Sequence, residues 1–180
     1  YGGDRAGSRY YLAGESQYYM SGATLTAATP TNKAFSGRID PGFSSNLMSI
    51  MINPFVKFHG LEVFGTYEMS SGSAGLSNVL DSVDRSFSQI SGSVVYRFLA
   101  EEQCYVGVRY NTVTGRLYGY TDDDGDVNVN RLQVAAGWFP TENLLLKLEY
   151  VDQKYDNFKT TDVRNGLEFK GVMVEASVGF

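Results

Sequence analysis

The feature that most constrains this chain is a two-residue alternation of apolar and polar side chains that recurs along its length. In one run Met48, Ile50 and Ile52 alternate with polar residues such as Ser49 and Asn53. Because successive side chains of a strand point to opposite faces of a sheet, this period predicts half-buried strands. The runs predict about eight strands, at residues 9–19, 46–58, 61–69, 88–98, 105–113, 131–139, 144–150 and 172–180.

The connections between these runs alternate in length. Short connections lie at residues 59–60, 99–103 and 140–143, and long ones at 21–45, 70–84, 119–126 and 156–165. Since every second connection is long, all long loops are expected at one end of an antiparallel up-and-down sheet. No linker or fixed repeat divides the chain, so residues 1–180 are predicted to form a single all-β domain.

Pro54 lies inside the run of residues 46–58. Proline has no N–H to donate to a neighbouring strand, so the sequence predicts a bulge or an interrupted strand there.

The charged side chains fall on one face of the predicted strands. The apolar positions of the seven clear runs carry no Asp, Glu, Lys or Arg, whereas the opposite positions carry charges of both signs that nearly cancel. Small residues such as Gly107, Ala135 and Gly137 are interleaved with them. This mixture suits the narrow lumen of a barrel of about eight strands, where ion pairs are expected because an unpaired buried charge is costly. The candidate lumen charges are Lys57, Glu62, Glu68, Arg97, Arg109, Arg131, Lys147, Glu149 and Glu175.

A solvated sheet face also tolerates mixed charges, and it remains the alternative interpretation of this pattern. The placement of aromatic residues favours a membrane. Amphipathic rings gather at membrane–water boundaries and form girdles around transmembrane barrels. Tyr67, Tyr150 and Tyr155 approach the long-loop ends of their runs. Candidate interface aromatics at the short-turn ends are Phe58, Phe98, Trp138, Phe139 and Phe180.

The last run resembles the C-terminal strand of Gram-negative outer-membrane β-barrels, with apolar residues at Val172, Val174, Ala176 and Val178 before Phe180. Residues 139–150, together with 53–55 and 106–110, resemble the closing strands of porin-like proteins. The resemblance implies a transmembrane β-barrel in a bacterial outer membrane, with lipid and lipopolysaccharide around it. It also implies recognition of the terminal strand by the barrel-assembly machinery. The chain is then expected to be a small complete barrel or the C-terminal half of a larger pore.

Other function classes find little support. The net charge of −5 argues against nucleic acid, because phosphate binding needs a basic surface. One cysteine and one histidine form neither an internal disulfide nor a His/Cys metal cluster. Enzymes among outer-membrane barrels place a histidine at the outer end, whereas His59 falls in a short turn, so no catalytic residue and no cofactor are expected.

The nearest pattern to a metal site is formed by Asp122, Asp124 and Asp126. The sixth position of this segment is Val127 where a calcium loop needs glycine, and the closing glutamate is absent. The favoured interpretation is therefore a solvated loop tip.

The predicted function is that of a non-enzymatic, porin-like outer-membrane barrel with a charge-lined lumen. One alternative is a barrel with a plugged lumen that acts in adhesion or recognition through its surface loops. The other is a soluble, lipocalin-like barrel that binds an apolar ligand, although such families carry their tryptophan early and Trp138 is late. The sequence indicates no particular solute or oligomeric state.

Overall fold

Seven of the alternating runs form one antiparallel sheet in the computed structural model, which describes residues 18–21, 24–27, 39, 41, 43, 45–73, 84–117, 119–162 and 164–179. The strands are β1 Tyr18–Ser21, β2 Thr24–Ala27, β3 Ser45–Ile52, β4 Phe55–Phe58, β5 Leu61–Ser73, β6 Arg85–Phe98, β7 Cys104–Gly115, β8 Val127–Thr141, β9 Leu144–Asp156 and β10 Glu168–Val178. Single turns of 3-10 helix occupy Ala100–Glu102 and Asp122–Asp124. No helix in these ranges is long and apolar enough to cross a membrane.

The main sheet has the order β10-β9-β8-β7-β6-β5, with β3 and β4 both pairing with the far side of β5. All of these pairs are antiparallel. The predicted all-β, antiparallel up-and-down fold is therefore confirmed. Within the described ranges β10 does not pair with β3 or β4, so the sheet is not closed into a barrel there.

The weak first run is placed differently from the other seven. Residues 9–17 lie outside the described part of the chain, while Tyr18 and Tyr19 begin β1. That strand pairs with β2 in a separate two-stranded sheet. The predicted loop at residues 21–45 therefore contains a strand, β2. The sequence did not predict this strand because its alternation of threonine with apolar residues spans only four positions.

Pro54 interrupts its strand without shifting the register. β3 pairs Ile52 with Tyr67 and β4 pairs Phe55 with Phe64, so both halves follow a single alignment on β5. The N–H of Gly65 donates to the Pro54 carbonyl over 2.9 Å, and proline has no N–H to return. The predicted interruption is confirmed, while the bulge of this strand lies between Ser45 and Met48.

The turn between β4 and β5 consists of two residues, His59 and Gly60. His59 and Gly60 both have positive φ, 43° and 77°, as the favoured two-residue hairpin turn requires. A Cβ at Gly60 would also lie 2.6 Å from the Arg97 carbonyl oxygen, so glycine is needed there.

The remaining long connections differ from their predicted bounds by a few residues. β5 extends to Ser73 and β6 begins at Arg85, which leaves residues 74–84 between them. Residues 116–126 connect β7 to β8, and residues 157–167 connect β9 to β10. The buried apolar cluster lies at this long-loop end of the sheet.

Candidate functional site

The two faces of the sheet differ in burial in the opposite sense from a water-soluble sheet. A row of directly paired residues crosses the whole sheet on its apolar face, and each member is at least 41% exposed. This row consists of Val56, Val63, Val94, Val108, Val134, Tyr150 and Val172. On the other, polar face, Gln153 is fully buried and Arg131 is 3% exposed. The polar face is therefore the candidate site.

The first ion-pair network of the polar face lies at its short-turn end. Glu62 accepts from Arg97 Nε over 3.0 Å and lies 3.2 Å from Lys57 Nζ. Glu102, in the turn after β6, joins the same two cations at 3.3 Å and 3.9 Å. The Arg97 guanidinium also lies over the Tyr105 ring, 5.5 Å from its centroid. Four charges from three strands and a turn thus neutralise one another.

The second network lies across β8, β9 and β10. Lys147 Nζ is 2.6 Å from one Glu149 oxygen and 3.6 Å from Glu175. Arg131 lies 3.9 Å from Glu149, and Gln133 Nε2 donates to the same carboxylate over 2.5 Å. Glu149 is buried, so these contacts compensate for the cost of removing its charge from water.

All nine predicted lumen charges therefore lie on the polar face. Seven of them belong to the two ion-pair networks, and the other two, Glu68 and Arg109, do not. Glu68 is buried and accepts a hydrogen bond from Ser49 Oγ over 3.3 Å. Arg109 is exposed between Ser93 and Gln133 on the neighbouring strands. Neither Glu68 nor Arg109 forms an ion pair with a residue of the described ranges.

An apolar cluster covers the long-loop end of the polar face. Its members on the strands and loops are Phe87, Val113, Leu117, Val127, Val129, Tyr155 and Phe158, and Ile39 and Phe43 pack against them. Arg85 Nη1 donates to the Pro41 carbonyl over 2.7 Å and its guanidinium lies 5.5 Å from the centroid of the Phe43 ring. This cluster was not predicted from the sequence, although valine occupies positions 113, 127 and 129 on the charge-bearing side of β7 and β8 and was a signal for it.

Two long loops are joined above this apolar cluster. Lys159 Nζ is 2.9 Å from the Gly119 carbonyl and 2.9 Å from Asp124 Oδ2. Tyr120 Oη donates to Asp162 over 3.2 Å and accepts from the Lys159 N–H over 3.1 Å. Residues 119–124 and 157–162 therefore form one hydrogen-bonded unit, here called the loop clasp.

The acidic groups of the clasp are held ionised. The Thr121 N–H, and then Lys159, lower the pKa of the Asp124 carboxyl to about 2. Burial raises the pKa of Asp162, but hydrogen bonds from Arg164 outweigh it and the net shift is downward.

The three carboxylates of the candidate metal loop all pair with cationic side chains of the protein. Asp122 and Asp126 both pair with Arg116, whereas Asp124 pairs with Lys159. No group of three His, Cys, Asp or Glu side chains placed to hold a metal ion occurs among the residues that the structure describes.

The candidate interface aromatics divide between the faces. Phe58, Phe98 and Trp138 are exposed on the apolar side, as predicted. Phe139 is on the polar side instead, with its ring 6.2 Å from that of Tyr105, because it follows Trp138 in an alternating strand. Tyr155 is likewise buried in the apolar cluster. Phe180 lies outside the described residues.

Comparisons with known proteins leave the family open. No protein-family model matches the chain, and no curated protein or solved structure is significantly similar to it.

Proposed function

We propose that this chain forms an integral membrane β-barrel of the outer-membrane type, with a non-enzymatic, porin-like role. In this proposal lipid covers the apolar face and the polar face lines the interior. Bacterial outer-membrane lipid and lipopolysaccharide are its surroundings, and the assembly machinery recognises its terminal strand. Closure of the sheet into a barrel is part of the proposal.

The observation that carries the proposal is the inverted burial of the two faces. Each Å² of apolar surface that stays in contact with water costs about 25 cal/mol relative to burying it. A row of six valines and a tyrosine across seven paired strand segments is therefore unfavourable in water. Transmembrane barrels place such a band in lipid and their polar side chains inside.

Extraction from membranes tests this proposal directly. The expressed chain is expected in the membrane fraction, resistant to alkaline carbonate and released by detergent. If it stays folded in buffer without detergent, the soluble barrel becomes the correct interpretation. A folded soluble form would also require a partner or a ligand over Val94, Val108 and Val134.

A second candidate function is a plugged barrel that acts through its loops. The apolar cluster favours it, because Phe43 and Ile39 are buried against Phe87 and Val113 where a pore would need an opening. Recordings from planar lipid bilayers distinguish the two functions. Discrete conductance steps above the leak support a diffusion pore, whereas insertion without steps supports the plugged form.

A further inference from the structure

A buried carboxyl group and a buried amide lie opposite each other on the polar face. Glu68 of β5 and Gln89 of β6 are paired in register, and they are 5% and 3% exposed. Glu68 Oε1 accepts a hydrogen bond from Ser49 Oγ over 3.3 Å. Among the described residues, neither Glu68 Oε2 nor Gln89 Oε1 has a partner. Both atoms only accept when Glu68 is ionised, so neither can then satisfy the other.

The surroundings of this pair are mainly apolar. Ile39, Pro41, Phe87 and Val113 are all buried and line the space beside Glu68. Apolar side chains cannot replace the water that a carboxylate loses on burial. A carboxyl group in such surroundings is therefore far more stable when it keeps its proton.

The neighbouring strands bring no compensating charge to Glu68. The side chains that face it from β3, β6 and β7 have no ionisable group: they are Ser49, Met51, Phe87, Gln89 and Val113. The cations at this end of the polar face have other contacts. Arg85 donates to the Pro41 carbonyl over 2.7 Å, and Arg131 lies 3.9 Å from Glu149. Among the described residues, no cation pairs with Glu68.

Three buried residues from outside the sheet, Ile39, Pro41 and Phe43, are here called the cover. Ile39 and Pro41 line the space beside Glu68, and Phe43 packs against the Phe87 ring at a centroid distance of 6.1 Å. Water can reach the Glu68 carboxyl from this side only if Ile39 and Pro41 move away.

We propose that Glu68 is a neutral carboxylic acid while the cover is closed, and that loss of its proton releases the cover. In the closed form the carboxyl O–H donates to Gln89 Oε1, so one proton satisfies both oxygens. When the pH rises, the proton passes to solvent and the carboxylate requires hydration, which displaces Ile39 and Pro41. This proton-operated release goes beyond the proposed function, because its contacts do not depend on lipid at the apolar face.

Infrared spectroscopy tests the protonation state. A neutral carboxyl group has a carbonyl stretching band that ionised carboxylates lack. The wild-type protein, in detergent or buffer as the extraction result requires, should show this band at about pH 6, and Glu68→Gln should not. Glu62→Gln is the matched control on the same strand and face. Glu62 accepts from Arg97 Nε over 3.0 Å and is paired as a carboxylate, so this control should keep the band.

Isoleucine methyl resonances measure release of the cover. With a water-soluble paramagnetic reagent, the Ile39 signal should stay sharp at about pH 6 and broaden as the pH rises toward 9. Each pH unit in the range where Glu68 ionises should increase the open population by up to about tenfold. Ile90, which is 56% exposed on the apolar face, is the internal reference and should not respond to pH.

Glu68→Gln should keep Ile39 protected over the whole pH range. Its amide nitrogen can donate to Gln89 Oε1, as the carboxyl O–H does, but it has no proton to lose. If this variant does not fold, the wild type decides: its carboxyl band must disappear over the same pH range in which Ile39 becomes exposed.

Three results overturn the proposal. They are a missing carboxyl band while Ile39 is protected, protection of Ile39 in the wild type that does not change with pH, and release of the cover in Glu68→Gln at the same pH as in the wild type. None of these results bears on membrane insertion, which the extraction experiment decides separately.

Discussion

Single residues on the polar face are positioned by what lies directly opposite them on the next strand. Lys147 and Glu175 are paired in register, as are Lys57 and Glu62. Opposite charges at such positions attract across the ladder. The sequence identifies the charged positions from period alone. It does not identify Glu102 or Gln133 as their partners, because a turn residue and a neutral amide carry no charge-alternation signal.

Gly115 offers a prediction at this scale. A Cβ there would lie 2.5 Å from the Phe87 ring and 2.6 Å from the Ser86 carbonyl oxygen. Phe87 is buried in the apolar cluster and the carbonyl belongs to the backbone, so neither can move easily. Gly115→Ala is therefore expected to lower the free energy of unfolding by about 1–3 kcal/mol, measured by denaturant titration.

Gly92→Ala is the matched control for this change. Its added Cβ would meet no atom within 4 Å, so the free energy of unfolding should change by less than about 0.5 kcal/mol. Equal effects of the two substitutions would show that packing at Gly115 does not limit stability.

At the scale of strands and loops, local sequence patterns predict that a strand exists better than they predict where it begins and ends. Seven runs of alternating residues became strands because period and β-branched composition agree. Their ends at the long-loop side extended beyond the predictions. β8, for example, begins at Val127 rather than Arg131, because Val127 and Val129 gain burial from the apolar cluster. Such burial depends on Phe43 and Phe87, which are remote in sequence.

The loop clasp carries a prediction about pH. Asp124 has an ordinary pKa of 3.8 and one of about 2 in the folded protein. Because the folded value is the lower one, the carboxylate stabilises the clasp fully above about pH 4. This contribution is lost as the pH falls through about 2.

Hydrogen exchange of residues 116–126 and 157–167 measures this effect. Asp124→Asn should exchange faster than the wild type at pH 5 to 7, and the difference should shrink as the pH approaches 2. Asp123→Asn is the control, because Asp123 is exposed and lies outside the contacts of the clasp. The explanation would be wrong if Asp123→Asn had the same effect, or if the difference persisted unchanged at pH 2.

At the scale of the whole molecule, a substitution on the exposed apolar face distinguishes a membrane protein from a water-soluble one. Val134 is 49% exposed in the middle of β8, with Val108 and Tyr150 on either side. In a bilayer, Val134→Arg should lower the free energy of unfolding by about 2–4 kcal/mol, measured by folding into lipid vesicles. In a water-soluble protein the same exposed substitution should change it by less than about 0.5 kcal/mol.

Thr160→Arg provides the reference for this experiment. It adds the same charge at an exposed position in the loop between β9 and β10 and should be neutral in either environment. If Val134→Arg and Thr160→Arg changed the free energy of unfolding in vesicles equally, the assignment of the apolar face to lipid would be wrong.

The sequence by itself determines which segments are strands and which of two faces each side chain occupies, because both follow from a period of two along the chain. It therefore placed all nine candidate lumen charges on one face. Only the tertiary structure decided which face is covered, where polar side chains give way to the apolar cluster, and that Glu68 has no counter-charge among the described residues. These properties depend on contacts between residues far apart in sequence, such as Phe43 with Phe87 and Glu68 with Gln89. No local period encodes such contacts.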